Sequence, residues 1–171
     1  MSNTPNTLQK VKDFLYWELI NRLKGQNVSV VCIMLMNEKG QVLAQTAQKN
    51  NIIGTNDTQY VFPGGKVETK FGEQPFQAVH REMKEETNLN VDIIKKLGKT
   101  RNNKYELHWY LCVPMDLSQL RVNEPGKQKE LKFVDIYDSS VNWTPGNQLA
   151  LNKFRKQLES FMSGTLNVKT K

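Results

Sequence analysis

From Phe62 to Leu89 the chain reads FPGGKVETKFGEQPFQAVHREMKEETNL, and the fold turns on this stretch. A short apolar strand runs into Gly64-Gly65, a loop follows, and a helix from Pro75 to Thr87 carries Glu82, Glu85 and Glu86 at spacings of three and four. At about 100° per residue these three share one side and point at one volume. With neighbouring carboxylates about 5.5 Å apart and an effective dielectric near ~20, each pair costs about 3 kcal/mol, more than helix propensity returns. A cation is therefore expected among them. Carboxylate oxygens with open positions suit Mg²⁺ or Mn²⁺, which keep waters and share their remaining sites with phosphate oxygens. The plain alternative for a bare Glu-x-x-Glu-Glu is a solvated acidic face.

The surroundings of the three carboxylates are more specific. Seven residues separate Gly65 from Glu73, seven more follow, and then comes Arg81-Glu82-Met83-Lys84-Glu85-Glu86-Thr87-Asn88-Leu89. This resembles the Nudix box, the signature of hydrolases acting on nucleoside diphosphates linked to another group. The family pattern is a Gly, five residues, a Glu, seven residues, then Arg-Glu-apolar-x-Glu-Glu-x-Gly-apolar. The chain departs from it twice, with the longer loop between Gly65 and Glu73 and with Asn88 in place of the last Gly. Asn88 ends the helix, where a left-handed conformation is wanted and Asn is the best substitute for Gly. Lys70-Phe71 or its neighbours are expected to bulge, with Gly72 and with Pro75 in the first helical turn placing Glu73.

Working outward, Val28 to Met36 (VSVVCIMLM) is apolar on both faces, as a central strand covered on each side would be. Asn37-Glu38-Lys39-Gly40 reads as a turn, and Gln41 to Gln45 as the hairpin partner of that strand. Thr46 to Gln59 is a polar loop in which Lys49 could meet a phosphate or simply be solvated. Upstream, Leu8, Val11, Leu15, Leu19 and Leu23 recur at helical spacing, predicting an amphipathic extension within residues 1–26 that ends near Gly25. Phe14, Tyr16, Trp17 and Ile20 widen its apolar surface, which could pack on the domain or on a second subunit, so monomer and homodimer both stay open.

Downstream, Val91 to Leu97 and Tyr105 to Val113 predict a hairpin turning near Arg101-Asn102-Asn103. Alternation in its second strand sets Tyr105, Leu107 and Trp109 against Glu106, His108 and Tyr110, and one set is expected to line a substrate cleft. His108, Trp109 and Tyr110 are the candidate substrate contacts, with Trp109 either stacking on a base or buried in the core. A polar loop from Asp116 to Gln128 precedes a short strand, Leu131 to Ile136. Trp143-Thr144-Pro145 opens a last helix with the apolar stripe Leu151, Phe154, Leu158, Phe161 and Met162, and the tail over 164–171 is expected to be mobile.

One domain of 171 residues is the expected organisation, long enough to bury a core without staples. Cys32 and Cys112 lie in apolar runs with no Cys or His at metal-ligand spacing, which predicts two buried thiols. No apolar run approaches the ~20 residues that span a bilayer, and a soluble cytoplasmic protein without a membrane partner is expected. Net charge is +7 although the proposed metal site is acidic, so basic residues gather elsewhere and an anionic partner is favoured, either nucleotide phosphates or RNA.

The order of elements argues for an α/β/α sandwich with a mixed sheet, and this is the fold the resemblance implies for most of the chain. By the same resemblance Glu82, Glu85, Glu86 and a carbonyl at Gly64 hold Mg²⁺ or Mn²⁺, Lys66 contacts phosphate, and Gly65 completes the box. Arg81 stands four residues before Glu85 and within reach of Glu73, where it would orient carboxylates by bidentate bonding or form an ordinary surface pair. A Glu downstream of the box completes the metal site or acts as base in this family. Glu130 is the position assigned here, Glu124 the competitor, and Glu85 the other candidate base. The implied reaction is water attack on a diphosphate linkage, with a nucleoside triphosphate or dinucleoside polyphosphate as the expected substrate. An RNA 5′ end and an ADP-ribose-type sugar nucleotide are the enzymatic alternatives. A non-catalytic nucleotide- or RNA-binding module is the alternative of another class, and the presence of Glu73, Glu82, Glu85 and Glu86 argues against it.

Overall fold

Two apolar faces on one strand need two covering layers, and the computed structural model supplies them; it describes residues 27–47, 58–102, 104–126 and 130–168. The helical extension upstream, Lys49 and Asn103 lie outside those residues. The elements, in order, are β1 (Val28–Leu35), β2 (Val42–Thr46), β3 (Tyr60–Val61), β4 (Gly64–Lys66), α1 (Pro75–Thr87), β5 (Val91–Arg101), β6 (Tyr105–Pro114), β7 (Leu131–Val134) and α2 (Pro145–Val168). A four-stranded sheet has the order β4-β1-β6-β5, with β1 parallel to β6 and its other pairs antiparallel. A second, antiparallel sheet has the order β3-β2-β7.

Side chains on β1 alternate between two cores. Val31, Ile33 and Leu35 pack with Ala78, Val79 and Met83 of α1, whereas Cys32, Met34 and Met36 pack with Ala150, Leu151, Phe154 and Leu158 of α2. This is the expected α/β/α sandwich around a mixed sheet, and it accounts for the unbroken apolar run of β1. Cys32 and Cys112 are buried free thiols, both pushed up to about 12 by burial.

Local chemistry sets the element ends. The N–H of Gln74 donates to the side chain of Gln77 at 2.8 Å, which starts α1 just before Pro75. Asn88 closes α1 at φ 61°, its N–H donating to the carbonyl of Lys84, as the sequence predicts for a left-handed cap. Lys70-Phe71 falls in a 3₁₀ turn, Thr69–Phe71, ended by Gly72 at φ 78°. At the head of α2, Asn147 Nδ2 donates to the Thr144 hydroxyl while its Oδ1 accepts from the N–H of Phe62, tying this helix to the strand that enters Gly64. The helix continues past Gly164 to Val168.

One expectation fails. The turn at Asn37 forms, with Asn37 Oδ1 accepting from the N–H groups of Lys39 and Gln41. Yet β2 does not return along β1, which it meets only at the bridge Met36–Val42. Both edges of β1 are taken by β4 and β6, so β2 is diverted into the second sheet between β3 and β7. The hairpin strands are also longer than the apolar pattern alone suggests, with β5 running to Arg101 through two register shifts.

Leu158 is fully buried and Leu149, on the same helix, is 70% exposed. Leu158→Ala should cost about 2–5 kcal/mol, lowering the melting temperature by roughly 4–20 °C, whereas Leu149→Ala should change stability by less than about 0.5 kcal/mol. Thermal unfolding followed by circular dichroism checks both.

Candidate active site

Gly64 and Gly65 bring backbone against the carboxylate face of α1. Gly64 lies at φ 151°, and a Cβ there would overlap the carbonyl oxygen of Val31. A Cβ on Gly65 would overlap the carboxylate of Glu82. Gly64 tolerates no side chain, because the backbone of β1 lies against it, whereas a side chain at Gly65 would have to displace the Glu82 carboxylate.

Glu86 is held from two directions. The N–H of Gly64 donates to its Oε2 at 3.0 Å, and Gln45 Nε2, from the central strand of the second sheet, lies 3.2 Å from each of its oxygens. Burial pushes this carboxyl up to about 7; the two donors pull it down, and the charges of Glu82 and Glu124 push it further up. A cation brought to Glu86 would reverse that balance and favour the ionised form.

Arg81 organises the other carboxylates. Nε and Nη2 grip Glu73 in a bidentate pair at 2.7 and 3.0 Å, Nη1 bonds Glu82 at 2.7 Å and Glu85 at 3.1 Å, and Nη2 also reaches the Lys66 carbonyl at 2.9 Å. Bonding to Glu73 holds the guanidinium protonated, and Arg81 together with the N–H of Glu68 keeps Glu73 below the usual carboxylate range. The orienting role expected of Arg81 thus has its geometry, and Glu73 is part of the same clamp. Glu85 is half exposed, so it faces solvent where Glu86 does not. Lys66 stands exposed at the end of β4.

Among the described residues, no three His, Cys, Asp or Glu side chains are grouped so that they could hold a metal ion by themselves. The guanidinium of Arg81 is a cation already bonded to Glu73, Glu82 and Glu85. An open site of this kind still fits a hard divalent ion, since Mg²⁺ takes one or two carboxylates and fills its other positions with waters and phosphate oxygens. The donor chemistry suits it, because Glu86 is a largely buried carboxylate under the like charges of Glu82 and Glu124.

The downstream carboxylates are arranged differently from the expectation. The loop from Leu120 to Glu124 folds over the carboxyl end of α1: the N–H groups of Arg121 and Asn123 donate to the carbonyls of Thr87 and Glu86, and Asn123 Nδ2 donates to those of Lys84 and Glu85. Those to Glu85, Glu86 and Thr87 satisfy carbonyls at the end of the helix that lack the usual i+4 donor, and the loop brings the charge of Glu124 to bear on Glu86. Glu130 instead accepts from the Tyr60 hydroxyl at 2.7 Å. It stands opposite Thr46, the neighbour of Gln45 on β2, so pleating turns its side chain to the other face of the second sheet from Gln45. Of the two, Glu124, the competitor in the sequence, is the one whose charge acts on Glu86.

His108, Trp109 and Tyr110 do not form a cleft with the carboxylates. Trp109 is 1% exposed, lies edge-on to Phe62 and against Phe154, and donates from Nε1 to Thr100 Oγ1. Tyr110 lies in the α1-side core, with Lys96 near its ring. His108 is buried beside Glu106 at 3.0 Å, and burial with the charges of Lys96 and Lys99 holds it below the usual imidazole range. The reason is topological: β6 is an inner strand and its stretch from His108 to Cys112 is buried, so these three side chains are not left for a ligand. Gln45 went unread in the sequence, although a lone amide in the apolar strand VLAQT is a signal that something polar awaits it.

Residues 25–162 match the family model of the NUDIX domain, and the chain belongs to this family of Nudix hydrolases. An uncharacterized Nudix hydrolase of Listeria innocua is 26% identical over 136 residues, 69% of this chain and 78% of that protein. A NUDIX-family hydrolase from Clostridium perfringens shares the fold at TM-score 0.60 and 19% identity, covering 78% of this chain and 97% of that one. An ADP-ribose pyrophosphatase from Streptococcus suis does so at TM-score 0.58 and 14% identity, covering 78% and 90%.

A carboxyl raised in the folded state contributes stability that is fully present below its unfolded value, near 4.5, and lost as pH rises through about 7. In EDTA, stability should therefore fall between about pH 4.5 and 7.5 by on the order of 3 kcal/mol from Glu86 alone, at about 1.4 kcal/mol per pK unit. Glu86→Gln should remove that part of the fall, read as the difference between the two proteins' melting temperatures across pH.

Proposed function

We propose that the protein hydrolyses a diphosphate linkage in a nucleoside diphosphate joined to another group, most suitably a nucleoside triphosphate or dinucleoside polyphosphate. The observation that carries this reading is the placing of Glu86 on the N–H of Gly64 and of the Glu82 carboxylate against Gly65, in the space a Cβ there would take. Such closeness of two carboxylates to bare backbone serves a small, highly charged ligand better than it serves packing. Nudix hydrolases generally use divalent metal ions, and here Glu82, Glu86 and the Gly64 carbonyl would hold Mg²⁺ or Mn²⁺, with Glu85 and Glu124 at its margin. A bound ion of this kind neutralises the bridging phosphate oxygens and supplies a water of lowered pKa.

The chain's own residues do the rest. Arg81 fixes Glu82 and Glu85 so that neither must reorganise as charge develops on phosphorus. Glu85, half exposed and anchored by a single bond to Arg81, is the carboxylate best placed to accept a proton from the attacking water. Glu124 is the second candidate, replacing Glu130 for the geometric reason given above. Lys66, at the exposed end of β4, would meet a phosphate.

A second reading, removal of pyrophosphate from an RNA 5′ end, is favoured by one observation. Lys95, Lys96, Lys99 and Arg101 stand exposed along β5, at the edge of the four-stranded sheet. A basic edge suits a polymer of phosphates. ADP-ribose remains a further substrate to test, on the likeness to a pyrophosphatase of that name.

Nucleoside triphosphates, dinucleoside polyphosphates, ADP-ribose, NAD and 5′-triphosphorylated RNA, each incubated with Mg²⁺ or Mn²⁺ and read by product mass, identify both substrate and broken bond. For the substrate found, Glu85→Gln should lower kcat by about 10²–10⁴ with the fold intact, and Glu124→Gln should cost far more than Glu130→Gln. Equal turnover by wild type and Glu85→Gln removes Glu85 from the mechanism.

A further inference from the structure

We infer that Gln45 is a positioning residue for the metal-binding carboxylate, and that its amide oxygen is the acceptor for a water that enters with the divalent ion. This rests on the reading above that Glu82 and Glu86 hold such an ion.

Gln45 is 6% exposed, in a strand whose preceding residues Val42, Leu43 and Ala44 are fully buried. Its backbone is fixed on both sides, pairing with Val61 of β3 and Leu131 of β7. From that rigid base Nε2 reaches both oxygens of Glu86 at 3.2 Å, while the N–H of Gly64 takes Oε2 alone. Two donors from two different sheets fix the carboxylate in position and in plane. The orientation of the amide follows from charge, because turning it over would set Oε1 against an acceptor-only carboxylate.

Oε1 is then left buried with no hydrogen-bond partner among the described residues. A buried acceptor with nothing to accept is a cost that folding alone does not explain, since an apolar side chain of the same volume would fill the place without it. The site next to it has a use for such an atom. Mg²⁺ and Mn²⁺ keep part of their hydration when carboxylates bind them, and outer-shell groups that orient ligands and waters tune metal affinity. One amide thus serves both components, donating to the carboxylate and accepting from the water.

Mn²⁺ binding to the apoprotein, measured from the electron paramagnetic resonance of free Mn²⁺, tests this in wild type, Gln45→Met and Gln45→Asn. Gln45→Met keeps the volume and removes both hydrogen-bonding atoms. It should raise the Kd for Mn²⁺ about 10–100-fold, lower kcat more than it changes KM, and leave far-ultraviolet circular dichroism unchanged. Per bound Mn²⁺, water-proton relaxation should also differ from wild type, because a water no longer held exchanges faster. Absence of Mn²⁺ binding by the wild type would overturn the metal reading itself. Wild-type binding matched by an unchanged Kd in Gln45→Met would overturn the role of Gln45 alone, and an altered Kd with identical relaxation would overturn the assignment of Oε1. Should Gln45→Met not fold, Gln45→Asn decides: its amide is one methylene too short to span the gap, its Kd should rise as well, and an unchanged value would sink the proposal.

Discussion

A single guanidinium makes the acidic face of α1 possible. Glu73, Glu82 and Glu85 all end on Arg81, with the Lys66 carbonyl completing its donors. Without it these carboxylates would repel one another, and Glu73 would keep the N–H of Glu68 but lose its tie to the helix. The planar fork of Arg matters here, because a bidentate grip on Glu73 fixes the direction in which Nη1 meets Glu82 and Glu85; a Lys ammonium would supply charge without that direction. The pairs are partly buried, with Arg81 at 25% and Glu73 and Glu82 at 13% and 12% side-chain exposure. Ion pairs at such depth contribute little net stability once desolvation is counted, and their worth lies in fixing geometry.

Glu86 lies outside that clamp and is treated in the opposite way. Arg81 takes the exposed Glu85, whereas the more buried Glu86 is bonded by the N–H of Gly64 and the amide of Gln45. Neutral donors orient a carboxylate without cancelling its charge, but burial raises this carboxyl to about 7, and a cation beside it would favour the ionised form. The same helix thus carries carboxylates bonded to a guanidinium and one that is costly to ionise. Charges of Glu82 and Glu124 nearby raise that cost further.

Much of this was legible in the sequence where contacts are local, and little of it where they are not. The spacing of Arg81, Glu82, Glu85 and Glu86 is a property of one helix, and the αL cap at Asn88 is a property of one residue. The alternation of β1 likewise announced two cores. By contrast, Gln45 and Glu86 are separated by 41 residues, and they meet only because β2 leaves β1 for a second sheet. Glu124 arrives because Asn123 caps a helix that ends well before it in the chain. The aromatic set on β6 was misplaced for a related reason, since period-two alternation tells which residues share a face but not whether a helix covers that face.

The same partition explains where the positive charge went. A chain of net charge +7 with an acidic centre must segregate its cations, and β5 takes four of them over Lys95 to Arg101. An edge strand presents unpaired backbone groups, and lysines along it discourage pairing with another chain. Glu106 does not cancel this strip. It lies under Lys99 and Arg101, and their bonds hold its carboxyl down to about 2, so it stays ionised and pins their side chains rather than serving as an acid. The basic strip on β5 and the carboxylates beside β4 thus stand at opposite edges of one sheet, and this separation gives the molecule a directed field.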